Sequence, residues 1–179
     1  MSNKNMVVIF PGKNYSVDSP LLYYAGFKFE TRGYEKLDIS YGDSINKGNC
    51  FAEHIEYVRN EVLLKFQGIN LTEYDDVVFV SKSIGTVVAG WIEEKLDIEV
   101  RQIYLTPIKE TLPYIKNGKN IIAVVSGTQD KLMDSEVLKE HCLKENIYFK
   151  LIDGVGHRLE VWGDMNENID ILKEIVSVY

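Results

Sequence analysis

Three side chains could do chemistry together: the hydroxyl of Ser83, the carboxyl of Asp130 and the imidazole of His157. A serine hydroxyl is a poor nucleophile near neutral pH. It needs a general base to take its proton, and the base needs an acidic group to orient it. Ser83 lies in Ser81-Lys82-Ser83-Ile84-Gly85, between the apolar runs VVFV and TVVAGW. This S-x-S-x-G pattern is one residue away from G-x-S-x-G, a sharp strand-to-helix turn that lifts a serine above a sheet. Such a turn is crowded, so small residues are needed two before and two after the nucleophile. Ser81 and Gly85 satisfy this around Ser83. Centring the pattern on Ser81 would put Phe79 at the first small position, where it is far too large. The competing reading is that both serines only cap the following helix.

His157 sits in IDGVGHRLEVW and Asp130 in VVSGTQDKLMD, each just after an apolar run. The other histidines, His54 and His141, fall inside amphipathic runs, and the plain alternative for His157 is a surface-loop histidine. Asp134 is placed to begin a helix, where negative charge is favourable, and Asp153 is too near His157 in sequence to reach under its ring. Acyl transfer also needs donors for an oxyanion. The Ile84 N–H directly follows the nucleophile, and the Lys13 N–H lies in FPGKNYS, where Gly12 lets the backbone come close; the same loop also reads as a plain turn. A phosphate-binding P-loop fails there, with Val7 and Asn14 at the positions that need Gly and Ser or Thr. A dinucleotide fingerprint fails too, because the loop has one glycine.

These residues must be positioned by strands and helices in alternation. MVVIF, EKLDISY, DVVFV, VRQIYLT, NIIAVVSG and YFKLID read as strands. LLYYAGFKFETRG after Ser19-Pro20, CFAEHIEYVRNEVLLKF, TVVAGWIEEKL, SEVLKEHCLKEN and NENIDILKEIVSV read as helices, and KETLPYIKNG as a short helix or irregular link. In the second helix Phe51, Ile55, Val58, Val62 and Phe66 share one side. Ser135 is the expected cap of the helix it opens. About six strands alternating with about six helical segments imply a mainly parallel sheet covered on both faces. Ligands in such sheets bind outside the carboxyl ends of the strands, and Ser83, Asp130 and His157 all fall there.

Composition narrows the function. The chain has 179 residues, is 45% hydrophobic and carries a net charge of −7. That is a usual size for one domain, so residues 1–179 are read as one unit. An acidic surface with no Lys/Arg block argues against nucleic-acid binding. Two cysteines, Cys50 and Cys142, and three histidines offer little for a zinc site, so no metal or other cofactor is expected. Both cysteines are read as reduced core residues. No run approaches the ~20 apolar residues of a membrane span, and the first residues lack the apolar run of a signal peptide. A cytoplasmic location is expected, and the oligomeric state is open.

On Pro11-Gly12, Ser83-Ile84-Gly85, Gly127-Thr128-Gln129-Asp130 and Gly156-His157, the chain resembles the α/β-hydrolase superfamily from Met6 to the last helix. The resemblance implies Ser83 as nucleophile, Asp130 as acid, His157 as base, and Lys13 and Ile84 as backbone oxyanion donors. The chain departs from the pattern at Ser81, where glycine is usual, and at Pro11, where many members have histidine. It begins at what would be the family's third strand and has no insertion after VRQIYLTPI, where larger members carry a lid. A minimal, lidless single-domain fold is implied.

The expected activity is hydrolysis of small carboxylic esters, or thioesters, through an acyl-enzyme on Ser83. A binding protein that keeps the scaffold without turnover is the alternative. Tyr15, Tyr41, Thr106, Pro107, Leu132 and Trp162 are candidates to line the cleft. Aromatic walls with few fixed charges would suit an apolar or aromatic group. Lys82 reads as a solvated or ion-paired lysine.

Overall fold

A computed structural model describes residues 4–179. Six strands form one sheet: β1 (Asn5–Phe10), β2 (Tyr34–Asp38), β3 (Asp76–Lys82), β4 (Arg101–Leu105), β5 (Ile121–Gly127) and β6 (Phe149–Ile152). Five α-helices accompany them: α1 (Pro20–Glu30), α2 (Phe51–Phe66), α3 (Ile84–Leu96), α4 (Ser135–Lys144) and α5 (Met165–Val176). Short 3-10 turns at Gly42–Asn46, Leu71–Glu73 and Lys109–Tyr114 complete the order. The link KETLPY is the last of these turns, and the rest of the expected alternation is present.

The sheet order is β2-β1-β3-β4-β5-β6, with every pairing parallel. In β1 and β3 nearly every residue is buried, as expected of strands covered on both faces. β2 is an edge strand; its exposed Glu35, Lys36 and Asp38 discourage further pairing there. Side chains alternate between the faces. Val8, Phe10 and Phe79 pack on α2 and α3, and Tyr104 and Val124 on Leu138 and Cys142 of α4. Val7, Ile9, Val78 and Val80 pack on the opposite face with α1 and α5. No helix among the described residues is long and apolar enough to cross a membrane.

Three local expectations are corrected. Asp134, not Ser135, caps α4: its carboxylate accepts from the Glu136 and Val137 N–H groups. The carboxylate reaches two of the first-turn donors that have no partner inside the helix. Cys142 is buried in α4, but Cys50 is exposed at the start of α2. Phe51, in the first turn of α2, is also exposed, while Ile55, Val58, Val62 and Phe66 form the buried stripe.

The chain runs from β1 outward to β2, then returns past β1 to β3 and continues the other way. Strand order therefore reverses between β1 and β3, and a crevice opens outside their carboxyl ends. The loop after β1 and the turn after β3 form its two sides.

Candidate active site

Ser83 occupies the single position between β3 and α3, with φ 56° and ψ −123°. Few residues other than glycine hold a positive φ, and the surroundings must impose it. Gly85 is part of that constraint. A Cβ there would meet the Phe10 carbonyl oxygen at 2.6 Å, so α3 starts against the end of β1 only because residue 85 has no side chain. Ser81 is fully buried, and its hydroxyl donates to the Ile103 carbonyl at 3.2 Å. Neither serine caps α3 through its side chain.

The Ser83 hydroxyl instead lies 2.8 Å from His157 Nε2, and His157 Nδ1 lies 2.7 Å from Asp130 Oδ2. An ionised carboxylate can only accept, so Nδ1 carries the proton and Nε2 is left to accept from Ser83. The Asp130 side chain is fully buried, whereas that of His157 is 25% exposed. Burial alone would raise the Asp130 carboxyl. The His157 hydrogen bond, the Leu132 N–H at 2.9 Å and the nearby Lys82 charge outweigh it and hold the carboxyl below its usual value. Ser126, buried at the end of β5, adds a long bond of 3.4 Å to Asp130 Oδ2. It therefore backs the carboxylate. Asp134 is occupied in its cap, and Asp153 accepts from Thr128 at 3.1 Å. His54 and His141 bond the Lys47 and Ile115 carbonyls.

Three contacts fasten the loop carrying His157 to the ends of β5 and β3. The Gln129 N–H donates to the Val155 carbonyl at 2.9 Å, and the Gly154 N–H donates to Thr128 Oγ1 at 2.9 Å. Val155 crosses directly over Gly127, where any Cβ would collide with its carbonyl oxygen. The third fastening is Lys82. It is not solvated: only 1% of the residue is exposed, and its ammonium makes no ion pair among the described residues. It donates to the His157 carbonyl at 2.6 Å and to Thr106 Oγ1. Burial pushes its pKa down to about 7, opposed in part by the Asp130 charge. Lys82 thus ties the residue before Ser83 to the backbone of His157. Its position between two serines in the turn was legible, but its burial under the loop after β6 was not.

A cleft of about 400 Å³ contains Ser83 and His157 and is walled by Gly12 to Tyr15, Lys82, Leu132 and Arg158. Of the side chains expected to line it, Tyr15 and Leu132 do. Tyr41 lines an adjoining hollow that shares Gly12 to Tyr15 with the cleft. Both tyrosines also anchor the first loop: the Tyr15 hydroxyl accepts from the Leu21 N–H at 3.0 Å, and that of Tyr41 donates to the Pro11 carbonyl at 2.7 Å. Burial pushes the Tyr15 phenol up to about 12. Thr106 and Pro107 are buried, Thr106 beneath the floor with its hydroxyl on Lys82, and Trp162 is fully exposed; none of the three lines the cleft. Arg158 lines it although the sequence reading passed over it; its place next to His157 was the available signal. The Lys13 and Ile84 N–H groups flank Ser83 in the chain or across the crevice, and neither bonds a protein acceptor among the described residues.

No family model matches the sequence, and no curated protein matches it. Solved structures do. A protein of the alpha/beta superfamily from Xanthomonas campestris pv. campestris shares 13% identity, with 98% of each chain covered and a TM-score of 0.69. Est1E from Butyrivibrio proteoclasticus, solved with ferulic acid bound, shares 10% identity over 98% of this chain and 88% of its own, with a TM-score of 0.69. An a/b serine hydrolase without lid from Xanthomonas campestris shares 11% identity over 99% of this chain and 82% of its own, with a TM-score of 0.66. At such identities the likeness concerns the fold. Together with the parallel sheet, the reversal between β1 and β3, and a β4–β5 link holding only one short turn, it shows that the chain has the α/β-hydrolase fold in its lidless form.

Proposed function

We propose that the chain is a serine hydrolase that cleaves small carboxylic esters or thioesters, with Ser83 as nucleophile, His157 as general base and acid, and Asp130 as the group that orients His157. The reading rests on one observation: the unbroken row from Ser83 Oγ through both imidazole nitrogens to a buried carboxylate. Ser83 Oγ attacks the carbonyl carbon while its proton passes to His157 Nε2. The carbonyl oxygen gains the negative charge, and the Ile84 and Lys13 N–H groups are the donors assigned to it. When this intermediate collapses, the bond to the leaving oxygen or sulfur breaks and Nε2 returns the proton to it. Alcohol or thiol departs, and the acyl group stays on Ser83. Water then gives a proton to Nε2 and attacks the acyl carbon. Collapse releases the carboxylic acid, and Ser83 Oγ recovers its proton. Lys82 is a positioning residue here: it touches the histidine backbone, not the reacting atoms.

The test is turnover of nitrophenyl esters by the purified chain, with labelling by a fluorophosphonate. Labelling should vanish in Ser83→Ala, and turnover should fall by at least about ten-thousandfold. Activity should also fall on acidification, because a protonated imidazole cannot accept the serine proton. Undiminished turnover in Ser83→Ala would remove Ser83 from the mechanism.

A further inference from the structure

The cleft around Ser83 reverses the charge of the molecule. The chain holds 27 acidic and 20 basic residues. Yet the cleft and the hollow that adjoins it are lined by Lys13, Lys82 and Arg158 and by no carboxylate. All three line the one cleft that holds Ser83. Lys13 stands on the loop after β1, Arg158 directly follows His157, and Lys82 lies beneath. Arg158 does bond Glu160 at 3.0 Å, but only through Nε, and both partners are solvent-exposed. Such a pair is weak and screened, and Glu160 lines a neighbouring groove, with Leu21, Met165 and Leu172, that shares Tyr15 and Arg158 with the cleft but does not contain Ser83. Asp18 and Asp43, which follow the lining segments Gly12 to Val17 and Ile39 to Gly42, are exposed and line neither hollow.

Lys82 is a second, independent sign. A buried ammonium whose direct partners are two neutral oxygens costs stability, and an apolar side chain of similar length would not incur that cost. Asp130 offsets the charge but is already engaged by His157, Leu132 and Ser126. Positive charge set in a cleft with low-dielectric walls focuses field lines on whatever enters.

Building on the hydrolase reading, we propose that the substrate is a negatively charged ester, whose anionic group lies between Lys13 and Arg158 while its carbonyl sits over Ser83. This differs from the sequence expectation of an apolar or aromatic group, which assumed a cleft with few fixed charges.

The test compares three nitrophenyl esters: hexanoate, the half-ester of adipic acid, and a hexanoate whose phenol carries a carboxylate. The second bears its charge on the acyl side, the third on the leaving group. At low salt at least one anionic ester should exceed the neutral one in kcat/KM by about tenfold. The advantage should vanish near 1 M salt, where the screening length is about 3 Å. It should also vanish in Lys13→Gln/Arg158→Gln. The neutral ester is the internal reference, since distortion of the loops slows all three alike and loss of charge slows only the anionic ones. Equal rates for all three esters, or a preference that survives the double variant, would overturn the inference. Binding of the same esters to Ser83→Ala, measured by calorimetry, separates the two layers. Selective binding there with no turnover by the wild type would end the hydrolase reading and keep the anion site; turnover without selectivity would do the reverse.

Discussion

The two ends of β3 hold polar clusters of opposite character. At its first residue, Asp76 takes Arg101 Nε at 2.9 Å, a second Arg101 nitrogen and the Tyr34 hydroxyl. Burial alone would raise this carboxyl, but the Arg101 and Tyr34 bonds outweigh it and lower it. The charges cancel, the partners come from β4 and β2, and the cluster needs nothing from outside. At the last residue, Lys82 is buried on neutral oxygens, and Ser83 next to it holds a backbone angle that few side chains tolerate. Thr106, across from them after β4, has φ 43°. Balanced charge and relaxed backbone mark the end that holds the sheet together. Unbalanced charge and strain mark the end where the fold gives up stability to hold a geometry.

Among tests of this contrast, the largest expected effect comes from disturbing the second cluster through its histidine loop. Gly127→Ala puts a methyl group where the Val155 carbonyl lies. The loop must lift, and a displacement near 1 Å costs about a hundredfold in rate. Turnover of a nitrophenyl ester should fall by that order while fluorophosphonate still labels Ser83 slowly; an unchanged rate would mean that the loop is not held by this approach.

Lys82→Met should act less on rate and more on pH dependence. Loss of the His157 carbonyl contact should lower kcat about tenfold with KM of a neutral ester little changed. In the folded protein Lys82 loses its proton near pH 7, in the unfolded chain only near its ordinary value of 10.5. Between these the unfolded state binds more protons, so wild-type stability should rise with pH across this window, by at most about 1.4 kcal/mol per pH unit. Below pH 7 the burial penalty is fully present. Urea titrations at pH 6.5 and 8.5 should show this slope in the wild type and a flatter one in Lys82→Met. Parallel slopes would refute the assignment.

Asp76→Asn is the contrasting case and the smallest effect. Its carboxyl is lowered in the fold, so its contribution is present above the unfolded value of about 3.9 and is lost as pH falls through the folded one. The pair is partly exposed, so the substitution should cost about 1 kcal/mol at neutral pH. It should leave kcat/KM unchanged, because the two clusters sit at opposite ends of the strand. A large loss of turnover would erase the distinction drawn between them.

The fold was legible because its signals are local. Runs such as MVVIF and DVVFV can only be buried strands between longer helical runs, and strict alternation leaves a parallel sheet as the way to bury both. Ser83, Asp130 and His157 were legible because each follows a strand and because the turn around Ser83 admits only small neighbours. Errors arose where two local solutions were equally good. Ser135 and Asp134 can both cap a helix, and the backbone path before α4 chose the aspartate. Tyr41 looked like a cleft wall, but it lines the adjoining hollow, where its hydroxyl holds the Pro11 carbonyl.

The sequence by itself determined the order of elements, the crowding at residues 81, 83 and 85, and the three side chains that could share a proton path, since steric size and hydrophobic period act between near neighbours. Tertiary structure alone decided that Lys82 is buried under the His157 carbonyl and that Lys13 and Arg158 line one cleft with Ser83. Those facts depend on the meeting of loops 70 or more residues apart in the chain, and charge and burial at such meetings are set by the packed sheet, not by any local pattern.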